Sequence, residues 1–146
     1  MDVFPEVARV AARFAEAWAH PQVDAFIELL HPEVRLYQPI TAPIIGRDAA
    51  RLEFTRLLRL LPDLCGTVDH WAADGDFLLI AWRLRATWGR AAPYEWPIAD
   101  HIRVRDGLII ERRALFDSVG LFGAMLRGGP GAWVKYARYR GYLPGG

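Results

Sequence analysis

Apolar residues recur along this chain with two different periods, and the change of period divides it in two. Val7, Val10, Ala11, Phe14 and Trp18 lie three or four residues apart, which predicts an amphipathic helix over 5–19. Pro5 suits its first turn, and His20-Pro21 ends it. Val23, Phe26, Ile27 and Leu30 carry the helical spacing into a short second helix that stops at His31-Pro32. Val34, Leu36 and Gln38 then alternate with Arg35 and Tyr37, the mark of a first strand, and Pro39 and Pro43 imply a loop. A third helix is expected over 47–61, with Leu57, Leu58 and Leu61 inward and Arg51, Arg56 and Arg59 solvated.

Beyond this point the period is two. Strands are predicted over 67–73 and 77–88, separated by the turn Asp74-Gly75-Asp76. Leu78, Ile80, Trp82, Leu84, Ala86 and Trp88 give the second of these one continuous apolar face. A hairpin loop over 89–93 leads to a strand over 94–104, and Asp106-Gly107 turns the chain into a last strand over 108–116. Asp117-Ser118 suits a helix N-cap, with one or two helical turns over 119–126. Gly128-Gly129-Pro130-Gly131 reads as a linker or lid hinge before an aromatic, basic tail from Trp133 to Tyr142. Helices first and long strands afterwards imply a single α+β domain over 1–146, with helices covering one face of a curved antiparallel sheet and 128–146 as tail or lid.

One residue breaks the alternation. In the strand over 94–104, one face reads Trp96, Ile98, Asp100, Ile102 and Val104, so a carboxylate stands among four apolar side chains. An ionised carboxylate is costly to bury unless it is paired or protonated, so Asp100 is either a satisfied structural group or a working one. Gln38 shares a face with Val34 and Leu36, and Arg112 shares one with Ile110, Ala114 and Phe116. These three polar groups point at one apolar interior and are the catalytic candidates. Asp100 and Arg112 could equally form a structural salt bridge, and Gln38 could be a hydrogen-bonded core amide. Tyr37, His70, His101 and Asp117 are weaker candidates by the same test. Phe14, Trp18, Tyr37, Phe54, Trp82, Trp88, Ala114 and Phe116 are expected to line a pocket between helices and sheet.

Composition narrows the function. The 146 residues carry 18 basic and 17 acidic side chains, a net charge of +1, without the concentrated positive field that nucleic acids or membrane surfaces need. Cys65 is the only cysteine, so no internal disulfide or cysteine metal cluster is available. The four histidines show no metal-ligand spacing; no glycine-rich phosphate loop precedes a helix, and no Gly-x-Ser-x-Gly elbow occurs. No metal and no organic cofactor is implied. The N-terminus lacks the pattern of a signal peptide and no run is long enough to span a membrane, so a soluble, cytoplasmic protein is expected.

The order of these features resembles the nuclear-transport-factor-2-like superfamily, in its ketosteroid isomerase and SnoaL-like polyketide cyclase branch. The resemblance runs from about Val7 to Phe122. It rests on the helical stretch from Arg13 to Leu30, the strand from Val34, Gly46-Arg47-Asp48-Ala49 opening the third helix, Pro97-Ile98-Ala99-Asp100-His101, and Arg113-Ala114-Leu115-Phe116. It implies a cone-shaped α+β fold with a curved antiparallel or mixed sheet around N-terminal helices, a deep hydrophobic pocket, and a homodimer packed through the outer sheet face. It also implies that the protonated acid of ketosteroid isomerase corresponds to Asp100, while the isomerase's tyrosine falls on Phe14 and its base on Gln38. In SnoaL-like cyclases a histidine corresponds to position 100, and the essential aspartate falls on Ala114. The acidic and basic set of limonene-epoxide-hydrolase-like proteins falls on Ala81, Arg83 and Ala114.

Three readings follow. The chain is a small-molecule enzyme that uses Asp100 as acid or base on a hydrophobic, cyclic substrate, in isomerase, dehydratase or cyclase chemistry, with Gln38 and Tyr37 orienting a substrate oxygen. Alternatively it is a non-catalytic module that binds a hydrophobic small molecule, having lost the base. Or it is an interaction protein whose sheet face and tail serve assembly.

Overall fold

The computed structural model describes residues 4–144. Residues 1–3, on which the reading of the N-terminus partly rests, and residues 145–146, the end of the tail, lie outside the described residues. Helix α1, Pro5–Ala19, buries Val7, Val10, Ala11, Phe14, Ala17 and Trp18, the stripe that its spacing encodes. Helix α2 is only Val23–Ile27, and strand β1, Leu30–Tyr37, begins earlier than the sequence suggests and runs through His31 and Pro32. The reason is long-range pairing. Leu30 pairs with Ile109, and the Ile109 N–H donates to the Leu29 carbonyl at 2.8 Å. The register slips between Leu30 and Arg35, and Pro32, which lacks a ladder donor, sits inside that irregular stretch.

A two-residue strand β2, Ile44–Ile45, pairs antiparallel with β1 where the sequence reads only as a loop. Helix α3, Arg47–Leu60, starts at Gly46, whose N–H donates to the Val34 carbonyl at 2.8 Å, and the Arg47 guanidinium donates to the Leu30 carbonyl. Strands β3 (Cys65–Asp74), β4 (Phe77–Ala86), β5 (Tyr94–Arg105) and β6 (Leu108–Phe116) form an antiparallel meander. The strand order is β2-β1-β6-β5-β4-β3, and β1 joins β6 in parallel, so the sheet is mixed and unclosed. Its inner face carries Leu78, Ile80, Trp82, Leu84, Trp96, Ile98, Ile102 and Val104 against α1 and α3, in one hydrophobic core.

Helix α4, Ser118–Arg127, is capped by Asp117, whose carboxylate accepts from the Val119 N–H at 2.9 Å. The stretch that reads as a linker and tail is in fact helix α5, Pro130–Tyr139. Proline is tolerated in a first helical turn; Trp133, Tyr136 and Tyr139 fall on one stripe that packs on the core, and Ala132 beside them is buried. Its junction with α4 is pinned to the β4–β5 connection: the Arg90 N–H donates to the Gly128 carbonyl at 3.1 Å. A Cβ on Gly128 would lie 2.4 Å from the Trp88 carbonyl oxygen, a contact with backbone that cannot easily yield. Gly128→Ala is therefore expected to cost about 1–3 kcal/mol of stability. Urea unfolding measures this, and a midpoint equal to that of the wild type would show that the junction is not close-packed.

Candidate functional site

Alternation along β5 points Asp100 inward, and alternation along β6 points Arg112 and Ala114 inward. Asp100 lies opposite Ala114, and Arg112 opposite Ile102, so the two charged residues are diagonal neighbours across the β5–β6 ladder. The small Ala114 leaves the long arginine room to reach across. Arg112 Nε donates to Asp100 Oδ2 at 2.9 Å, with Asp100 1% and Arg112 7% exposed. The extra residue that the β6 side of the ladder carries between Arg103 and Val104 turns both Ile109 and Ile110 to the interior and leaves Arg112 on its inward position.

Three aromatic rings surround the guanidinium. Its carbon lies 5.7 Å from the Phe14 ring, 5.6 Å from Trp18 and 5.7 Å from Trp82. Cation–π attraction of this kind strengthens where water is excluded. The arginine is thus held by rings from α1 and β4 and by one carboxylate from β5. Asp100 Oδ1 and Trp82 Nε1 are buried and make no close hydrogen bond among the described residues, although the indole N–H is near enough to favour the ionised acid. Burial raises the Asp100 carboxyl above the usual aspartate range, while the charge of Arg112 and its hydrogen bond pull the other way.

Beside this pair a cavity of about 100 Å³ opens between sheet, α3, α4 and α5. Arg112 lines it; Asp100 does not, and stands behind the arginine. Of the residues expected at a pocket, Trp18, Gln38, Phe54, Trp88, Ala114 and Phe116 are on the cavity wall. Phe14 and Trp82 lie off it, in the cage around Arg112. Tyr37 also lies off it, because the odd positions of β1 face outward, and the Arg113 guanidinium covers its ring at 4.1 Å. His101 stacks on Phe77 at 5.1 Å, away from the cavity wall; His70 is exposed, and Asp117 caps α4.

The cavity wall also carries Glu53, which the sequence does not single out, and Tyr139 from the aromatic tail. Glu53 of α3 lines the cavity and accepts from Gln38 Nε2 at 3.4 Å and from the Tyr139 hydroxyl of α5. Its signal was available: Glu53 sits on the same inward stripe as Ala50, Phe54 and Leu57. Arginines at 51, 56 and 59 made the helix look solvated on that side. Burial and the neighbouring Glu53 carboxylate push the Tyr139 phenol well above the usual tyrosine range, so it remains a donor. Among the described residues no cluster of histidine, cysteine, aspartate or glutamate is placed to hold a metal ion, and no helix is long and apolar enough to cross a membrane.

A family model for the SnoaL-like domain matches residues 11–112, and the chain belongs to that family. No curated protein matches it by sequence. Solved structures agree on the fold. A proposed SnoaL-like polyketide cyclase from a Jannaschia species superimposes with a TM-score of 0.75 at 19% identity, covering 89% of this chain and 99% of that one. A protein with a ketosteroid isomerase-like fold from Catenulispora acidiphila gives 0.73 at 19% identity, covering 87% and 95%. IdmH, a proposed polyketide cyclase from Streptomyces antibioticus, gives 0.69 at 21% identity, covering 82% and 97%. The six-stranded mixed sheet wrapped on helices is thus the cone fold of the nuclear-transport-factor-2-like superfamily.

The buried pair makes a pH-dependent prediction. An acid whose folded-state value is raised supports the fold below its unfolded value, and that contribution is lost as pH rises through the folded value. Arg112→Met removes the cation that opposes burial and so raises Asp100 further. The variant should lose about 3–5 kcal/mol near neutral pH, and its stability should fall more steeply than that of the wild type as pH rises above the usual aspartate range. Urea unfolding across that rise checks this; parallel pH profiles would mean that Arg112 does not control Asp100.

Proposed function

We propose that this chain is a small-molecule enzyme of the SnoaL-like kind, moving a proton next to a carbonyl-type oxygen of a hydrophobic, cyclic substrate, in isomerase, dehydratase or cyclase chemistry. One observation carries the reading. Arg112 spends its Nε on Asp100, makes no other hydrogen bond among the described residues, and lines a mostly apolar cavity. Its Nη groups are donors of fixed charge, held without freedom to reorganise, which is what stabilises negative charge developing on an oxygen. Asp100, the acid or base of the sequence reading, is in this account the counter-ion that fixes Arg112, a positioning residue. Trp18, Phe54, Trp88 and Phe116 supply flat apolar walls for a ring system. The polyketide cyclase proposals for two structural neighbours support the same substrate class.

A non-catalytic binding module is favoured by a different observation. The positions where the resemblance implies a tyrosine, a base and an aspartate carry Phe14, Gln38 and Ala114. Recovery of every bound ligand chemically unchanged would decide for that module. The partner expected in either case is a second copy of this chain. On the outer face, Leu79 is 55% and Leu115 64% exposed, and Ala81, Ala99 and Leu115 align across three strands. Charges of both signs flank this row, including the Arg83–Asp69 pair at 2.7 Å, so the face suits its own copy.

Tryptophan fluorescence reports on the cavity directly, since Trp18, Trp88 and Trp96 line it. Arg112→Met should weaken binding of the ketone 2-indanone about ten-fold or more, and leave the hydrocarbon indane within about two-fold. Ketone affinity that ignores the substitution would overturn the reading. For the interface, Leu115→Glu should reduce the wild-type dimer to a monomer in light scattering. A wild-type protein that is already monomeric would remove the proposal.

A further inference from the structure

Glu53 is the one carboxylate among the described residues of the cavity wall. It projects from the inward stripe of α3, half-buried between this cavity and an outer groove that also carries Arg56 and Arg140, and an acid so placed is costly unless its oxygens are answered. The answer comes from two neutral donors, the Tyr139 hydroxyl and the Gln38 amide, and no lysine or arginine among the described residues pairs with it. Neutral donors steady a carboxylate without cancelling its charge. They hold only part of its acceptor capacity, because an ionised carboxylate offers about four lone-pair sites. The other charged group on the same wall is Arg112. One cavity wall therefore carries both a proton acceptor and a fixed cation.

A carboxylate that only fastened α5 to α3 would not need its charge, nor a place on the cavity wall; an amide would accept the Tyr139 proton as well. We propose that Glu53 is the general base of the site, with Tyr139 and Gln38 holding its carboxylate toward the cavity. This rests on the reading that a ketone-type oxygen meets Arg112. The C–H bond next to the carbonyl breaks, its proton passes to a Glu53 oxygen, and its electron pair becomes the enolate, whose oxygen is held by the Arg112 Nη donors. Return of the proton to the same carbon exchanges it, and return to another carbon isomerises the substrate. No electrons are gained or lost overall. The substrate class follows: a hydrophobic ring carrying a carbonyl with an adjacent acidic C–H.

Hydrogen–deuterium exchange of 2-indanone in deuterium oxide, followed by proton NMR, tests this step. The wild type should accelerate exchange above buffer, and Glu53→Gln should lower the enzymatic rate by about 100-fold or more while 2-indanone still quenches tryptophan fluorescence with affinity within about three-fold. Tyr139→Phe should lower the rate by about ten-fold or less, because Gln38 still holds the carboxylate and the base itself is kept. Bound ketone without accelerated exchange, or exchange that survives Glu53→Gln, overturns Glu53 as base and leaves the Arg112 reading standing. Equal loss in Glu53→Gln and Tyr139→Phe also overturns it, since a mere fastening of α5 behaves that way. Failure of the wild type to bind 2-indanone sinks the Arg112 reading and this proposal with it.

Discussion

A guanidinium enclosed by aromatic rings is tolerable only if its charge is answered, and here one carboxylate answers it. Asp100 and Arg112 are both inside the sheet's concave face, 2.9 Å apart, and neither has another charged partner among the described residues. Removing two charges from water costs several kcal/mol each, and only good geometry returns it. The geometry comes from the β5–β6 register, which sets the pair on a ladder diagonal with Ala114 as the gap between them. The rings that grip the arginine are also the joints of the core. Phe14 meets Trp82 edge-on at 5.1 Å, Trp18 lies 4.8 Å from Trp82 and 4.5 Å from Phe26, and Phe26 lies 4.8 Å from Phe54. Helix docking and site assembly are therefore one packing problem.

The cavity is what that solution leaves over. Arg112 is on its wall and Asp100 is not, so whatever occupies the cavity touches the arginine and not the carboxylate behind it. On the same wall α5 lays Tyr139 against Glu53, and Arg140 Nη1 donates to the Ile40 carbonyl at 2.6 Å. The C-terminal helix thus completes the wall around the cavity, and its aromatic stripe is explained by packing as well as by what it encloses.

Much of this was legible in the sequence, and the reason differs from residue to residue. Strand alternation encodes which face a residue takes, so Asp100, Arg112 and Ala114 could be assigned to one interior from their neighbours alone. Alternation says nothing about depth. That Arg112 stands in front of Asp100, that Phe14 and Trp82 lie in the cage and not on the cavity wall, and that Tyr37 turns to Arg113 are outcomes of side-chain length and cross-strand pairing. Glu53 was hidden for another reason: on a helix rich in arginine a glutamate reads as solvated, although its spacing from Ala50, Phe54 and Leu57 puts it inward. Helix α5 was hidden by Gly128-Gly129-Pro130-Gly131, which reads as a breaker, yet Pro130 is at the one place in a helix where proline costs nothing.

The positions at which the resemblance implies catalytic groups can now be read together. Phe14 offers a ring face to a cation. Ala114 is small where the arginine must pass, and Asp100 supplies the charge that makes a buried arginine affordable. Gln38 lines the cavity and donates to Glu53. Phe14, Ala114 and Asp100 each bear on how Arg112 is buried, whereas Gln38 bears on Glu53. A larger side chain at 114 would close the diagonal path that Arg112 takes, and Phe14, Trp18 and Trp82 would lose the cation they surround. The substitutions are therefore coherent as a set. Keeping one guanidinium buried, paired and on a cavity wall needs the ring, the gap and the carboxylate together.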